Sequence, residues 1–325
     1  MLDVLGAILA ILIIVLIWIM LFDTNRFVAR RFEISDRRIR RPVRAVVLAD
    51  LHNKRYGKNN ERLLEEIRAQ KPDLILVAGD ILTAKRGASF EPAVNLIREL
   101  SRDFPLYYGN GNHEHRLKLY PKVYGDMGER YGKALEEAGV RPLVNSHAVL
   151  ADFGIAVYGS EIGKEYYKRF RIREMEAGYL EELLGRPEEG LYTVLLAHNP
   201  DYFPRYAAWG ADLTLSGHVH GGVARVPFWG KGVVSPGFRL FPKYDGGVFR
   251  EGQAVMILSR GLGSHTIPFR LFNPGELWVV ELKPDSEQGN AERINPEQAN
   301  LKRLDLHPKS RHRTHVPLEK RPENR

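Results

Sequence analysis

The chain has 325 residues, enough for one large domain or two modest ones, and no cysteine, which excludes structural disulfides, thiolate metal sites and thiol catalysis. Its net charge of +8 suggests nucleic acid until the charge is located: residues 23–44 hold eight Arg against Asp23, Glu33 and Asp36, and residues 45–283 carry only about +2. Basicity confined to one short segment argues against a broad nucleic-acid-binding face, so no nucleic-acid partner is expected.

The first element is residues 4–22, VLGAILAILIIVLIWIMLF, an uncharged and almost wholly apolar run. As a helix it spans about 28 Å, close to the hydrocarbon thickness of a bilayer. A cleaved signal peptide fits poorly, because no Lys or Arg precedes the run and no small-x-small site follows it. A single-pass transmembrane helix is expected. The eight Arg downstream put the following chain on the cytoplasmic side of a cell membrane. Residues 23–43 read as a basic juxtamembrane linker able to lie against anionic headgroups.

Beyond the linker the pattern alternates. AVVLAD (45–50) and DLILVAGD (73–80) read as buried strands, with a helix over 59–70 between them. A helix near 92–100 leads to a strand at PLYYGNGN (105–112). A helix near 125–138, a strand at GIAVYGS (154–160) and a helix near 173–184 follow. The strands YTVLLAH (192–198) and ADLTLSGH (211–218) complete the series. Continuous apolar strands between helices indicate an α/β fold with parallel strands. From 222 to 282 the chain is strand-rich, and the polar residues 284–325 read as a disordered tail. The domain proper is therefore expected over 44–283.

The polar residues fall at one place in this pattern. Asp50 and His52 follow the first strand, Asp80 the second, and Asn112 and His113 the third; His198 follows YTVLLA, and His218 and His220 follow LTLSG. Ligands of α/β sheets bind beyond the carboxyl ends of the strands. Each residue alone reads equally as a cap or a turn. Five strand ends carrying carboxylate, amide or imidazole together read as a metal site. His218 and His220 flank Val219, so an extended backbone points both the same way.

The blocks DLH (50–52), GD (79–80), GNHE (111–114), His198 and GHVH (217–220) together resemble the ordered signature of the calcineurin-like metallophosphoesterases. The resemblance covers residues 44–282 and is greatest to the small, often membrane-anchored bacterial members, which also carry segments like GHVHGGVARVP, PKY and SRGLG. Val223 departs from it, standing where many relatives place Gln. The resemblance implies a four-layer α/β/β/α sandwich, here preceded by one transmembrane helix. It also implies two divalent metal ions (Mn, Fe or Zn), one held by Asp50, His52, Asp80 and His220, the other by Asp80, Asn112, His198 and His218. A hydroxide bridging them attacks the phosphorus, His113 serves as general acid or charge stabiliser, and Glu114 orients its neighbours.

The function so implied is a membrane-anchored phosphodiesterase or pyrophosphatase acting on a phosphoester, with lipids and nucleotide-lipids among the candidates. A nuclease of the same superfamily and a non-catalytic metal-binding membrane protein are the alternatives. The aromatics of DYFPRYAAWG (201–210) and PFWGKG (227–232) are open to two readings, contact with acyl chains or internal packing. Metal identity and oligomeric state are left open by the sequence.

Overall fold

Eleven strands form two sheets in the computed structural model, which describes residues 2–235, 237–264 and 268–285. In chain order they are β1 Phe27–Asp36, β2 Val43–Leu48, β3 Leu74–Ala78, β4 Leu106–Gly109, β5 Ser146–Leu150, β6 Ile155–Ser160, β7 Tyr192–Ala197, β8 Leu213–Ser216, β9 Gly247–Glu251, β10 Ala254–Leu258 and β11 Gly275–Pro284. The first sheet runs β1-β11-β2-β3-β4 and the second β5-β6-β7-β8-β10-β9. Parallel pairing holds through β2-β3-β4 and through β6-β7-β8-β10. Antiparallel pairs join β11 to β2, β5 to β6 and β9 to β10, so both sheets are mixed.

The helices are α1 Leu2–Thr24, α2 Glu61–Ala69, α3 Glu91–Asp103, α4 Asn112–Leu119, α5 Pro121–Tyr124, α6 Met127–Glu137, α7 Tyr179–Leu184 and α8 Phe203–Trp209. Alternation within the strands explains their layering. In β2, Val46 and Leu48 pack outward with Leu63 and Ile67 of α2 and Ile97 of α3, while Ala45 and Val47 pack inward against Val157, Val194 and Leu215 of the second sheet. On the far side Tyr158 and Leu195 meet Leu180 of α7 and Tyr206 of α8. A strand buried on both faces reads as an unbroken apolar run, as these do. The result is the expected four-layer α/β/β/α sandwich.

Three expectations are revised. Residues 27–36 are not linker: they form β1, which pairs in parallel with β11 over all ten residues, Phe27 opposite Gly275 through Asp36 opposite Pro284. Nor is the basic segment available to lipid as a whole. Arg30, Arg31, Arg38, Arg41 and Arg44 each lie within 4 Å of a carboxylate of the domain, and Arg26 pairs with Asp23 of α1. The helix expected near 173 begins only at Tyr179, after Gly178 at φ +89, a conformation that suits glycine. The tail read over 284–325 lies outside the described residues beyond Asp285.

α1 is long and apolar enough to cross a membrane by length and composition, and most of its large apolar side chains are exposed. It runs almost directly into β1. Its last turn is fastened to the domain: Asp23, buried, accepts from the Asn273 N–H at 3.0 Å and pairs with Arg26, and Thr24 Oγ1 accepts from the Arg270 N–H at 2.9 Å.

Candidate metal centre

The carboxyl ends of β2, β3 and β4 in one sheet meet those of β7 and β8 in the other, and the predicted polar residues converge in the loops between them. Asp50, His52, Asp80, His218 and His220 all adopt positive φ, between 50° and 73°. Such backbone is strained for non-glycine residues and accumulates at functional sites. Glycine makes the close approach possible at two points. A Cβ on Gly111 would sit 2.2 Å from Asp80 Oδ1, and one on Gly217 would sit 2.4 Å from Asp50 Oδ2.

Ligand-type atoms gather in overlapping groups: Asp50, His52 and His220; His52, Asp80 and His113; and Asp80, His198 and His218, each within 4.8 Å internally. Asp50 Oδ1 lies 3.7 Å from both His52 Nε2 and His220 Nε2 and 3.6 Å from His198 Nε2. Asp80 Oδ2 lies 2.9 Å from His198 Nε2 and 3.8 Å from His52 Nε2. Asp80 therefore stands between two sets. Asn112, at the start of α4, contributes a buried carbonyl Oδ1 that has no hydrogen-bond partner among the described residues. An orphaned buried oxygen beside carboxylates and imidazoles fits a hard or borderline cation, and its desolvation is otherwise uncompensated.

The rings are oriented from behind. His198 Nδ1 is 2.7 Å from the Ala78 carbonyl and His220 Nδ1 3.1 Å from the Gly263 carbonyl. A carbonyl only accepts, so each Nδ1 carries a proton and each ring turns its Nε2 to the cluster, where a cation would take the place of any proton on it. His113 is held the opposite way. Its Nδ1 accepts the Ala84 N–H at 2.8 Å, which puts the ring proton on Nε2.

Charge follows the same geometry. Burial pushes the Asp50 carboxyl up, but His220, His52 and His198 overcome this and hold it well below the usual carboxylate range. Asp80 is likewise held low against burial, chiefly by His198. Burial lowers His198, yet Asp80 and Asp50 push it up to about 10. Glu114 behaves differently: burial and the Asp80 charge raise it to about 7. Its oxygens accept from the N–H groups of Asp80, Ile81 and Gly111, each at 2.9 Å, and from Tyr108 Oη at 2.9 Å. One side chain thus joins the Asp80 loop to the start of α4.

An open cleft leads away from Asn112, His113 and His218. Sequence reasoning missed its outer wall. Tyr167 sets its ring edge-on to His218 at 5.2 Å, and Arg116, Lys168, Arg169 and Arg239 line the way out. These residues lie in loops or on a short helix without motif or periodicity, so nothing local marked them. His115, next to Glu114, faces Glu161, 3.9 Å away. His265 lies outside the described residues.

The family model for calcineurin-like phosphoesterases matches residues 43–222, which include every residue of the cluster. The chain is 30% identical to the uncharacterized metallophosphoesterase YkuE of Bacillus subtilis over 67% of its own length and 70% of the relative's. It is 28% identical to the phosphodiesterase YaeI of Escherichia coli, covering 69% of this chain and 76% of that one. An uncharacterized metallophosphoesterase of Campylobacter jejuni, Cj0846, is 25% identical over 75% of this chain, which spans 60% of that relative.

Proposed function

Because the chain belongs to the calcineurin-like phosphoesterase family, we propose that it hydrolyses a phosphodiester or a pyrophosphate with two divalent ions, from a single-pass anchor formed by α1. Asp50, His52, Asp80 and His220 would hold one ion, and Asp80, Asn112, His198 and His218 the other. The observation that carries this reading is the pair of Asp/His groups sharing Asp80, with the unpartnered Asn112 oxygen beside them. Oxygen and nitrogen donors without thiolate suit Mn, Fe or Zn. Bound there, the ions supply positive charge to the phosphoryl oxygens and lower the pKa of water. The name of the Escherichia coli relative favours a phosphodiester over a pyrophosphate.

The chain's own residues do the rest. The carbonyls of Ala78 and Gly263 keep His198 and His220 in the ligating tautomer. Asp50 is locked by the His218 N–H, which reaches both its oxygens at 2.9 and 3.0 Å, and Asp80 Oδ1 accepts the His113 N–H at 2.7 Å. His113 offers its Nε2 proton as a hydrogen bond to a phosphoryl or leaving oxygen.

The test is metal analysis of the full chain in detergent with an artificial aryl phosphodiester as substrate. Two divalent ions per chain and turnover are expected. Asp80→Ala should lose both ions, since its carboxylate serves both sets. Full occupancy in that variant would remove its bridging role, and a metal-loaded chain inert to phosphodiesters and pyrophosphates would overturn the enzymatic reading.

A further inference from the structure

Two loops at the outer end of the cleft share an unusual composition. Residues 166–173 read YYKRFRIR, and residues 226–243 read VPFWGKGVVSPGFRLFPK; together they hold seven cations and no Asp or Glu. Among the described residues only Arg239 of these seven has a carboxylate within 4 Å, that of Asp201. The cations alternate with exposed apolar side chains: Phe170, Ile172, Phe228, Trp229, Leu240 and Phe241 are all exposed. The other aromatic stretch, 201–210, is different, for Tyr202, Phe203 and Tyr206 are buried in the core. Contiguous apolar surface of this extent is uncommon on a chain facing only water.

The two loops form one surface. Phe170 stacks on Phe238 at 6.0 Å, with the Arg169 guanidinium 5.6 Å from the same ring, and Trp229 lies 6.0 Å from Phe241. The second loop is a small meander, bridged between Arg225 and Gly232 and between Val234 and Leu240. It is held firmly. The buried Arg225 guanidinium donates to the carbonyls of Gly221 and Asp245 at 2.8 and 2.7 Å, and to that of Gly230 in the turn carrying Phe228 and Trp229. Its first strand also pairs with Leu271. Leu271 sits between Arg270 and Asn273, the two residues that fasten the last turn of α1. The loop that carries the exposed surface is therefore joined at its base to the segment that fastens the apolar helix.

We infer that these loops seat on an anionic bilayer beside the exit of α1, so that the cleft over the Asp/His groups opens at headgroup level and takes a phosphate ester carried by a lipid. The inference rests on the proposed membrane-spanning α1 and phosphoesterase site. Apolar rings flanked by Lys and Arg are the pattern that binds the boundary between headgroups and acyl chains, the rings entering it and the cations pairing with anionic lipid. The arginines of residues 26–44 are largely committed to carboxylates of the fold, so the cationic surface is supplied here instead.

The chain contains no cysteine, so a single introduced one can be labelled uniquely. The full chain would carry a nitroxide at Phe228→Cys, at Leu240→Cys or, as an exposed control on α6, at Lys133→Cys, in vesicles of phosphatidylcholine and phosphatidylglycerol. Spin-label collision with oxygen, which concentrates in the bilayer, and with a water-soluble nickel chelate reports depth. Labels at 228 and 240 are expected to favour oxygen and that at 133 the chelate. Labels at 228 and 240 as aqueous as the control would overturn the docking surface. In a second arm, Phe228→Ser with Leu240→Ser should lower turnover of a vesicle-borne nitrophenyl phosphatidyl diester about tenfold and leave a soluble aryl phosphodiester unchanged. Equal turnover of the vesicle-borne ester by variant and parent would overturn the lipid substrate. If the parent cleaves neither ester while the labels lie at depth, the phosphoesterase reading fails and the docking surface stands.

Discussion

The proton on His113 is decided by one backbone hydrogen bond. With Nδ1 accepting from Ala84, the ring presents a single N–H to the cleft and has no second proton to give away. In the proposed reaction it would act as a hydrogen-bond donor to developing charge, and of the two roles open to it from sequence this geometry favours charge stabiliser. His113→Ala should keep both ions and lose about 10²–10³ in turnover, the usual cost of removing one such donor. The loss should be the same for aryl and alkyl phosphodiesters, measured as kcat on the metal-loaded chain. A much smaller loss for the aryl ester, which needs no proton on leaving, would restore the general-acid role. Glu114, read from sequence as an orienting neighbour, has the contacts for it, since its carboxylate joins the loop bearing Asp80 to the helix bearing Asn112.

At the scale of elements, β1 is where sequence and structure part. Its ten residues, FVARRFEISD, are broken by Arg30, Arg31, Glu33 and Asp36, so neither a period of two nor an apolar run announces a strand. The partners of those charges lie far along the chain: Glu276 and Glu281 on β11, Lys283 beside Glu33, and Asp212 bound through Arg38. No local pattern could carry that information. β2, β3, β6, β7 and β8 were legible because burial on both faces leaves an unbroken apolar run, and the site was legible because its residues end those runs.

Glu276 is the anchor of the β1 edge. Burial pushes its carboxyl up, but Arg260 and Arg30 outweigh this and hold it below its ordinary value of 4.5. Arg260 Nε is 3.1 Å away, Arg30 is closer, and Trp278 Nε1 donates at 3.2 Å. Glu276→Ala leaves two partly buried guanidinium groups without their carboxylate and should cost about 3 kcal/mol, read from the urea midpoint of the full chain. A cost under about 0.5 kcal/mol, the range of indifferent surface changes, would deny the anchor. The unfolded chain binds the Glu276 proton more readily than the folded one. Its contribution is therefore complete above the ordinary value and falls away as pH drops through the lower native one. Glu276→Gln should flatten that part of the acid limb.

For the whole molecule the open matter is which side of the membrane the domain occupies. Insertion reads charge on the chain before it folds, so the arginines of residues 26–44 count toward orientation although most later find partners in the sandwich. Residues 23–325 are expected in the cytoplasm. A reporter active only outside the cytoplasm, fused after Leu282, should be silent, and its activity would reverse the orientation. A mature chain lacking residues 1–22 would remove the anchor altogether. A fragment that starts at residue 45 would be a poor substitute in any such assay, because it lacks β1 and uncovers the long edge of β11.

The fastening of α1 has a consequence for how such an enzyme would meet its substrate. A flexible linker of twenty residues would let a domain range about 25 Å from its anchor. Here only Asn25 and Arg26 separate helix from strand, and Asp23 and Thr24 are already bonded to the domain. On the proposed anchor the cleft would keep a fixed height above the lipid and search a plane rather than a volume. Its rate should then follow the number of substrate molecules per unit area of membrane. Diluting a lipid ester with inert lipid, at constant total ester, should slow turnover in proportion to its surface fraction, whereas a rate set by total ester alone would mean that the cleft reaches beyond that plane.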